Sequence, residues 1–207
     1  MTQPQSTTPD GELVTRLLSK PAWVFDMDGT LTEDVHDYEA IRSELGLEPH
    51  KPILEQLTCY EGQQRADLDN RLNEIELNIA RASVPSEGVH ELLSDLSKHT
   101  RLGILTRNSR RNARVTLEAI GLSDYFRDED IIGRDEGPPK PAPDGLNRML
   151  SRWGFEAASA VMIGDSHFDL MTGQAAGASA VYYDPSASFE HAHMADLCIT
   201  SLRALLV

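Results

Sequence analysis

AWVFDMDGT, Ala22 to Thr30, joins four consecutive apolar residues to a short acidic string that closes on glycine and threonine. A run so short and so apolar, stopped by turn residues, reads as a strand buried on both faces. Asp26 and Asp28 then lie just beyond its carboxyl end, where open α/β sheets bind their ligands. Gly29 lets the backbone turn sharply there. Two carboxylates at that place can hold a hard cation through oxygen and can attack an electrophile. The plainer alternative is a solvated acidic turn, which suits a lone Asp pair better than the whole string DMDGT.

Outward from this stretch, similar runs alternate with helical patterns: LGILT from Leu102, SAVMIG from Ser159, SAVYY from Ser179, and more weakly DIIG near Ile131 and the late LCIT. That alternation predicts an α/β fold around a parallel sheet. Val89, Leu92, Leu93 and Leu96 recur at helical spacing, as do Leu146, Met149, Leu150 and Trp153. Gly121, Gly154 and Gly177 each follow such a pattern, where a left-handed residue ends a helix. Residues 32–84 break the rhythm and read as helix after helix. Asp37 caps the first, Pro52 opens the second, and Leu68, Leu72, Ile75 and Ile79 face one side of the third. The expectation is a small helical insert, joined through segments near Thr32 to Asp34 and Ala82 to Pro85.

Composition narrows the function. The chain of 207 residues is 40% hydrophobic and 25% charged, an ordinary globular balance with room for a core domain and an appendage. A net charge of −14 disfavours nucleic acid as a partner. It does not exclude a small phosphorylated ligand, because a bound cation and a few donors can dominate the field inside a pocket. Cys59 and Cys198 match neither a redox pair nor a zinc spacing and are expected to be reduced packing residues. Residues 1–11 read as a disordered tail without signal-peptide character, and no apolar stretch is long enough for a membrane helix. A cytoplasmic protein is the expectation.

Three further strings carry chemistry. Thr106 ends the run LGIL and is followed by Arg107, Asn108 and Ser109 at the start of a helix, a ready anion site in which Asn108 or Ser109 could equally be a plain N-cap. Lys140 sits in GPPKPAP, presented by a stiffened chain. A cation there can neutralise both Asp26 and a phosphoryl group in transfer. GDSHFD, Gly164 to Asp169, ends another run. Asp165 is a second metal carboxylate in this reading, and Asp169, on the next turn, a further ligand or a partner behind the ligands. Asp165 or Ser166 could instead simply open the next helix. His167 is expected to be exposed rather than metal-binding.

In this order, DMDGT, Thr106, Lys140 with its prolines and GDSHFD resemble the motifs of the haloacid dehalogenase superfamily of hydrolases. The resemblance implies a Rossmann-like core over residues 12–31 and 85–207 and a small α-helical cap over 32–84, of the kind found in phosphoglycolate phosphatase-like members. It implies Asp26 as nucleophile, Asp28 as general acid and base, and Lys140 as the transition-state cation. It implies Mg²⁺ held by Asp26, the Asp28 carbonyl and Asp165, with Asp169 beside them. The substrate would be a small phosphorylated metabolite. Many relatives place Asn directly after the motif threonine; here Arg107 does so and Asn108 comes next, so either could assist Thr106. A phosphoryl-transferring mutase and a non-catalytic phosphate-binding protein share these motifs. A dehalogenase would not need Asp28, and a phosphonate hydrolase would need an imine-forming lysine, for which Lys51 is the candidate in the cap. A receiver-type signalling module would have no cap. Arg42, Lys51, Arg65, Arg71 and Arg81 are the insert's candidate contacts for an anionic substrate tail, or else solvated helix-face charges.

Overall fold

The computed structural model describes residues 11–206. The tail expected at 1–11 falls outside them except for Gly11, which begins a helix, α1 (Gly11–Leu18). β1 (Ala22–Phe25) is buried along its whole length, and its side chains alternate between two layers. Trp23 and Phe25 enter one apolar cluster, Ala22 and Val24 the other. Each of the two fully buried rings contributes roughly 1.5–3 kcal/mol over an exposed position.

The chain then runs through α2 (Tyr38–Leu45), α3 (Ile53–Leu57) and α4 (Gly62–Ala82) before returning to α5 (Val89–Leu96) and β2 (Arg101–Leu105). α6 (Arg110–Ala119), β3 (Ile131–Ile132), α7 (Asp144–Trp153), β4 (Ala160–Gly164), α8 (His167–Ala176), β5 (Ser179–Tyr183) and β6 (Leu197–Ile199) follow. All pairings in the sheet are parallel, in the order β3-β2-β1-β4-β5-β6. Helices α1, α5 and α6 cover the face of Trp23 and Phe25, and α7 covers the face of Ala22 and Val24. This is the doubly wound α/β arrangement that the alternating runs predict. Among the described residues no helix is long and apolar enough to cross a membrane.

Helices α2, α3 and α4 carry an apolar cluster of their own, centred on Ile41, Leu45, Leu57 and Leu72. Asp37 caps α2 by accepting from the Ala40 N–H at 2.9 Å, and Gly46 ends it in the left-handed conformation at φ 69°. The two strands of chain leading in and out pair with each other, with an antiparallel bridge between Thr32 and Pro85. α4 also packs on α6 of the core through buried polar groups. The Arg134 guanidinium donates to both Glu76 oxygens at 2.8 Å and to Asn73 at 2.8 Å, and Asn112 donates to Glu76 at 3.1 Å.

The cysteine expectation needs one correction. Both thiols are free, but Cys59 is exposed on the turn after α3, while Cys198 is half-buried against a small cluster around Leu170 and Tyr182.

Candidate active site

β1, β2 and β4 lie side by side and end at one level, so the residues just past them converge on the crevice where the strand order reverses. Asp26 stands at the end of β1, Thr106 at the end of β2 and Asp165 at the end of β4. Gly29 makes this convergence possible. It takes φ 74°, and a Cβ there would fall 2.2 Å from an Asp165 oxygen. Gly164 has the same role toward Asp169, whose Cγ would lie 2.1 Å from an added Cβ.

Lys140 reaches the same point from the loop before α7. Its side chain is 1% exposed, and Nζ donates to Asp26 Oδ1 at 2.6 Å and to Asp169 Oδ1 at 2.5 Å. Burial alone pulls an ammonium toward neutrality, but the two carboxylates outweigh it and hold Lys140 above its ordinary range. Asp26 Oδ1 also accepts from the Met27 N–H at 2.7 Å. Asp169 closes a capping box with Ser166 at the start of α8, its Oδ2 accepting from the Ser166 hydroxyl at 2.5 Å. Both oxygens of Asp169 are therefore engaged inside the protein, and Ser166 rather than Asp165 opens the helix.

Asp26, Asp165 and Asp169 can each offer an oxygen within 4.8 Å of the others. One ammonium does not balance three close carboxylates. Burial, then the Asp169 charge, pushes Asp26 up to about 7, and burial with the Asp26 charge raises Asp165 well above the carboxylate range. Such an excess of buried negative charge fits a hard divalent cation taking oxygen ligands. Asp28 stands two residues beyond Asp26. Its carboxyl is likewise pushed up to about 7, chiefly by burial, with Lys140 acting the other way. The Asn108 amide donates to its Oδ2 at 2.6 Å.

The segment after Thr106 divides its tasks. Ser109 is the N-cap of α6, accepting from the Asn112 N–H at 3.3 Å, while Thr106 Oγ1 accepts from the Asn108 N–H at 3.1 Å. Arg107 is held by other partners: its Nη1 donates to the Lys140 carbonyl. Its Nη2 donates to both Glu55 oxygens on α3, at 2.9 and 2.8 Å, and the guanidinium lies 4.0 Å over the Phe168 ring.

Of the insert's cations, Arg42 and Lys51 line the cleft above this crevice, a cavity of about 340 Å³. Arg65 pairs with Asp69 and Arg71 with Glu44, and Arg81 is exposed near the end of α4. His167 also lines the cleft and is half-buried rather than exposed. Three cleft residues have no signature in the sequence: His36, whose side chain is 5% exposed with Nε2 3.9 Å from Asp28; Tyr38, stacked on it; and Phe168. His36 and Tyr38 come from the linker and the first turn of α2, where no spacing rule marks a residue that faces the core.

A family model described as haloacid dehalogenase-like hydrolase matches residues 21–177. An uncharacterized hydrolase of Saccharomyces cerevisiae is 26% identical over 193 residues, covering 89% of this chain and 88% of the yeast protein. A phosphoglycolate phosphatase of Mesorhizobium japonicum is 31% identical over 195 residues, covering 81% of this chain and 84% of its own length. The crystal structure of a hydrolase from Pseudomonas syringae is similar in fold, with a TM-score of 0.74 at 20% identity over 90% of this chain and 96% of that one.

Proposed function

The chain belongs to the haloacid dehalogenase-like hydrolases and is a phosphatase of that family, and from that premise we propose that it hydrolyses a small phosphomonoester through a phosphorylated Asp26. The observation that carries this reading is the buried contact of Asp26 with Lys140, at 2.6 Å, beside a second carboxyl, Asp28, that burial keeps near neutrality.

An Asp26 oxygen attacks phosphorus and the bond from phosphorus to the ester oxygen breaks. Protonated Asp28 gives its proton to the departing oxygen. The same Asp28, now charged, takes a proton from a water that attacks the phosphorus of the acyl phosphate, releasing phosphate and restoring Asp26. Asn108, at 2.6 Å, fixes the Asp28 carboxyl for both transfers. The Thr106 hydroxyl, which accepts from the Asn108 N–H at 3.1 Å and keeps its own proton to donate, would bind a phosphoryl oxygen, and Lys140 would stabilise the charge that develops there. Asp26, Asp165 and the Asp28 carbonyl would hold Mg²⁺, which supplies positive charge against the repulsion between a carboxylate and a phosphoryl group. Asp169, with both oxygens engaged, positions Lys140 and the α8 terminus. An imine role for Lys51 has no support: its ammonium is ion-paired to Glu48 at 2.5 Å and its side chain is 58% exposed, unlike the desolvated lysines of imine chemistry. Transfer to a second hydroxyl instead of water would make the protein a mutase, and the released product distinguishes the two.

Phosphate release from a simple aryl phosphate should stop with EDTA and return with Mg²⁺; release indifferent to EDTA would contradict the metal assignment. A second test uses stability. With Asp26 and Asp28 near 7 in the folded state against an ordinary 3.8, the cation-free fold keeps protons that the unfolded chain releases. Its stability therefore falls as pH rises from about 4 through 7. A cation that needs those carboxylates ionised binds more tightly as pH rises. Saturating Mg²⁺ should raise Tm more near pH 8 than near pH 5, measured by thermal melts. Equal increments at both pH values would contradict the site.

A further inference from the structure

The cleft above Asp26 places each of its arginine and lysine side chains against a carboxylate of the insert. Arg42 donates to Glu39 at 2.8 and 3.2 Å and to the Lys51 carbonyl at 3.2 Å. Lys51 pairs with Glu48 at 2.5 Å, and Arg107 with Glu55 at 2.8 Å. His50 Nδ1 lies 3.0 Å from Glu39. The His36 ring stacks on Tyr38 with Nε2 3.9 Å from Asp28, and the His167 ring lies tilted on Phe168 at 4.0 Å. Glu76 is taken by Arg134 and Asn112, Asn108 by Asp28 and Ser166 by Asp169, and beside the Tyr38 ring the wall carries the apolar side chains of Ile41, Ile53, Leu54, Leu72 and Phe168. Glu55 itself does not line the cavity; it reaches Arg107 from outside.

Resting on the phosphatase reading above, we propose that the leaving group this cleft accepts is uncharged and partly apolar, and that Glu55 enforces the choice by masking Arg107 against a second anionic group. Of the cations that line the cleft, Arg107 is the one that follows Thr106 directly, and a carboxylate or second phosphate on the substrate would turn to it. Its Nη2 is spent on Glu55 and its flat face on Phe168. A substrate carboxylate would therefore be desolvated against Ile53, Leu54 and Phe168 without a partner, which is penalised more heavily than the loss of one hydrogen bond. An alkyl group in the same place meets side chains it can pack against. The preference opposes substrates built like phosphoglycolate, whose leaving group carries its own carboxylate.

The test is kcat/KM with Mg²⁺ for n-butyl phosphate and for the ω-carboxylated ester of the same chain length. Wild type should favour the butyl ester by about tenfold or more. Glu55→Gln and Glu55→Ala should narrow that ratio by about fivefold, through a lower KM for the carboxylated ester, as expected of an exposed ion pair released. Taking the ratio within each protein cancels any general effect of the substitution on turnover. Equal efficiency on the two esters in wild type, or a ratio that both variants leave unmoved, overturns the inference while the phosphatase reading stands. No phosphate from either ester removes that reading and the inference with it.

Discussion

Asp26→Asn lowers kcat by at least about 10⁴, the scale on which enzymes lose rate when a nucleophile is removed, while the fold persists. Asparagine keeps the size of the side chain and an oxygen to accept from the Met27 N–H. Lys140 keeps its contact with Asp169 at 2.5 Å. The substitution also removes one of three close carboxylates, so like-charge repulsion falls and Tm should hold or rise. Phosphate release and a thermal melt on the same preparation read both halves. Turnover close to wild type would remove Asp26 from the chemistry, and an unfolded variant would show that its charge is structural.

Lys140→Met carries the second large effect and reaches stability as well as rate. The methionine occupies similar space but leaves Asp26 and Asp169, both buried, without their shared counter-ion. Removing one partner of a buried ion pair costs about 3–5 kcal/mol. The sign with pH is definite. Without the ammonium the Asp26 carboxyl, already raised by burial and the Asp169 charge, loses the charge that holds it down and rises further, so the variant recovers stability as pH falls and loses most at alkaline pH. Urea denaturation near pH 5 and pH 8 without Mg²⁺ measures this. Activity should fall by about 10² to 10³, the usual loss when a transition-state donor is removed. A variant within about 1 kcal/mol of wild type at the higher pH would show that the lysine is not the counter-charge it is taken for.

What the sequence made legible follows from which interactions are local. AWVF, LGIL, AVMI and AVYY are buried on both sheet faces, so each is an apolar run visible without knowledge of its neighbours. The residues that end those runs share a level because parallel strands in register must end together, which is why Asp26, Thr106 and Asp165 could be placed in one crevice from order alone. Lys140 was legible by position among the motifs, not by its surroundings. The helices of the insert showed themselves through Asp37, Pro52 and the spacing of Leu68, Leu72, Ile75 and Ile79.

Side-chain direction across the gap between insert and core was not legible. Arg107 and Asn108 are adjacent and both polar, yet one crosses to Glu55 and the other donates to Asp28. That split depends on where α3 lies over the sheet, a long-range packing outcome with no period in the sequence. Asp169 was read as a metal ligand or a partner behind the ligands; one of its oxygens accepts from Lys140 and the other from Ser166, contacts that no spacing in the sequence marks. The clasp of Arg134 on Glu76 and Asn73 joins residues far apart in the chain and left no motif to notice. His36 is the clearest omission: a linker histidine beside Asp28 has no pattern to announce it.

The central claim is that a covalent bond forms between phosphorus and Asp26. Mass spectrometry of peptides from protein quenched in acid during steady turnover tests it most directly. The account predicts the mass of one phosphoryl group on the peptide that contains Asp26, present with substrate and Mg²⁺ and absent in Asp26→Asn. A fully active protein that never carries that mass, or carries it on a different residue, would contradict it.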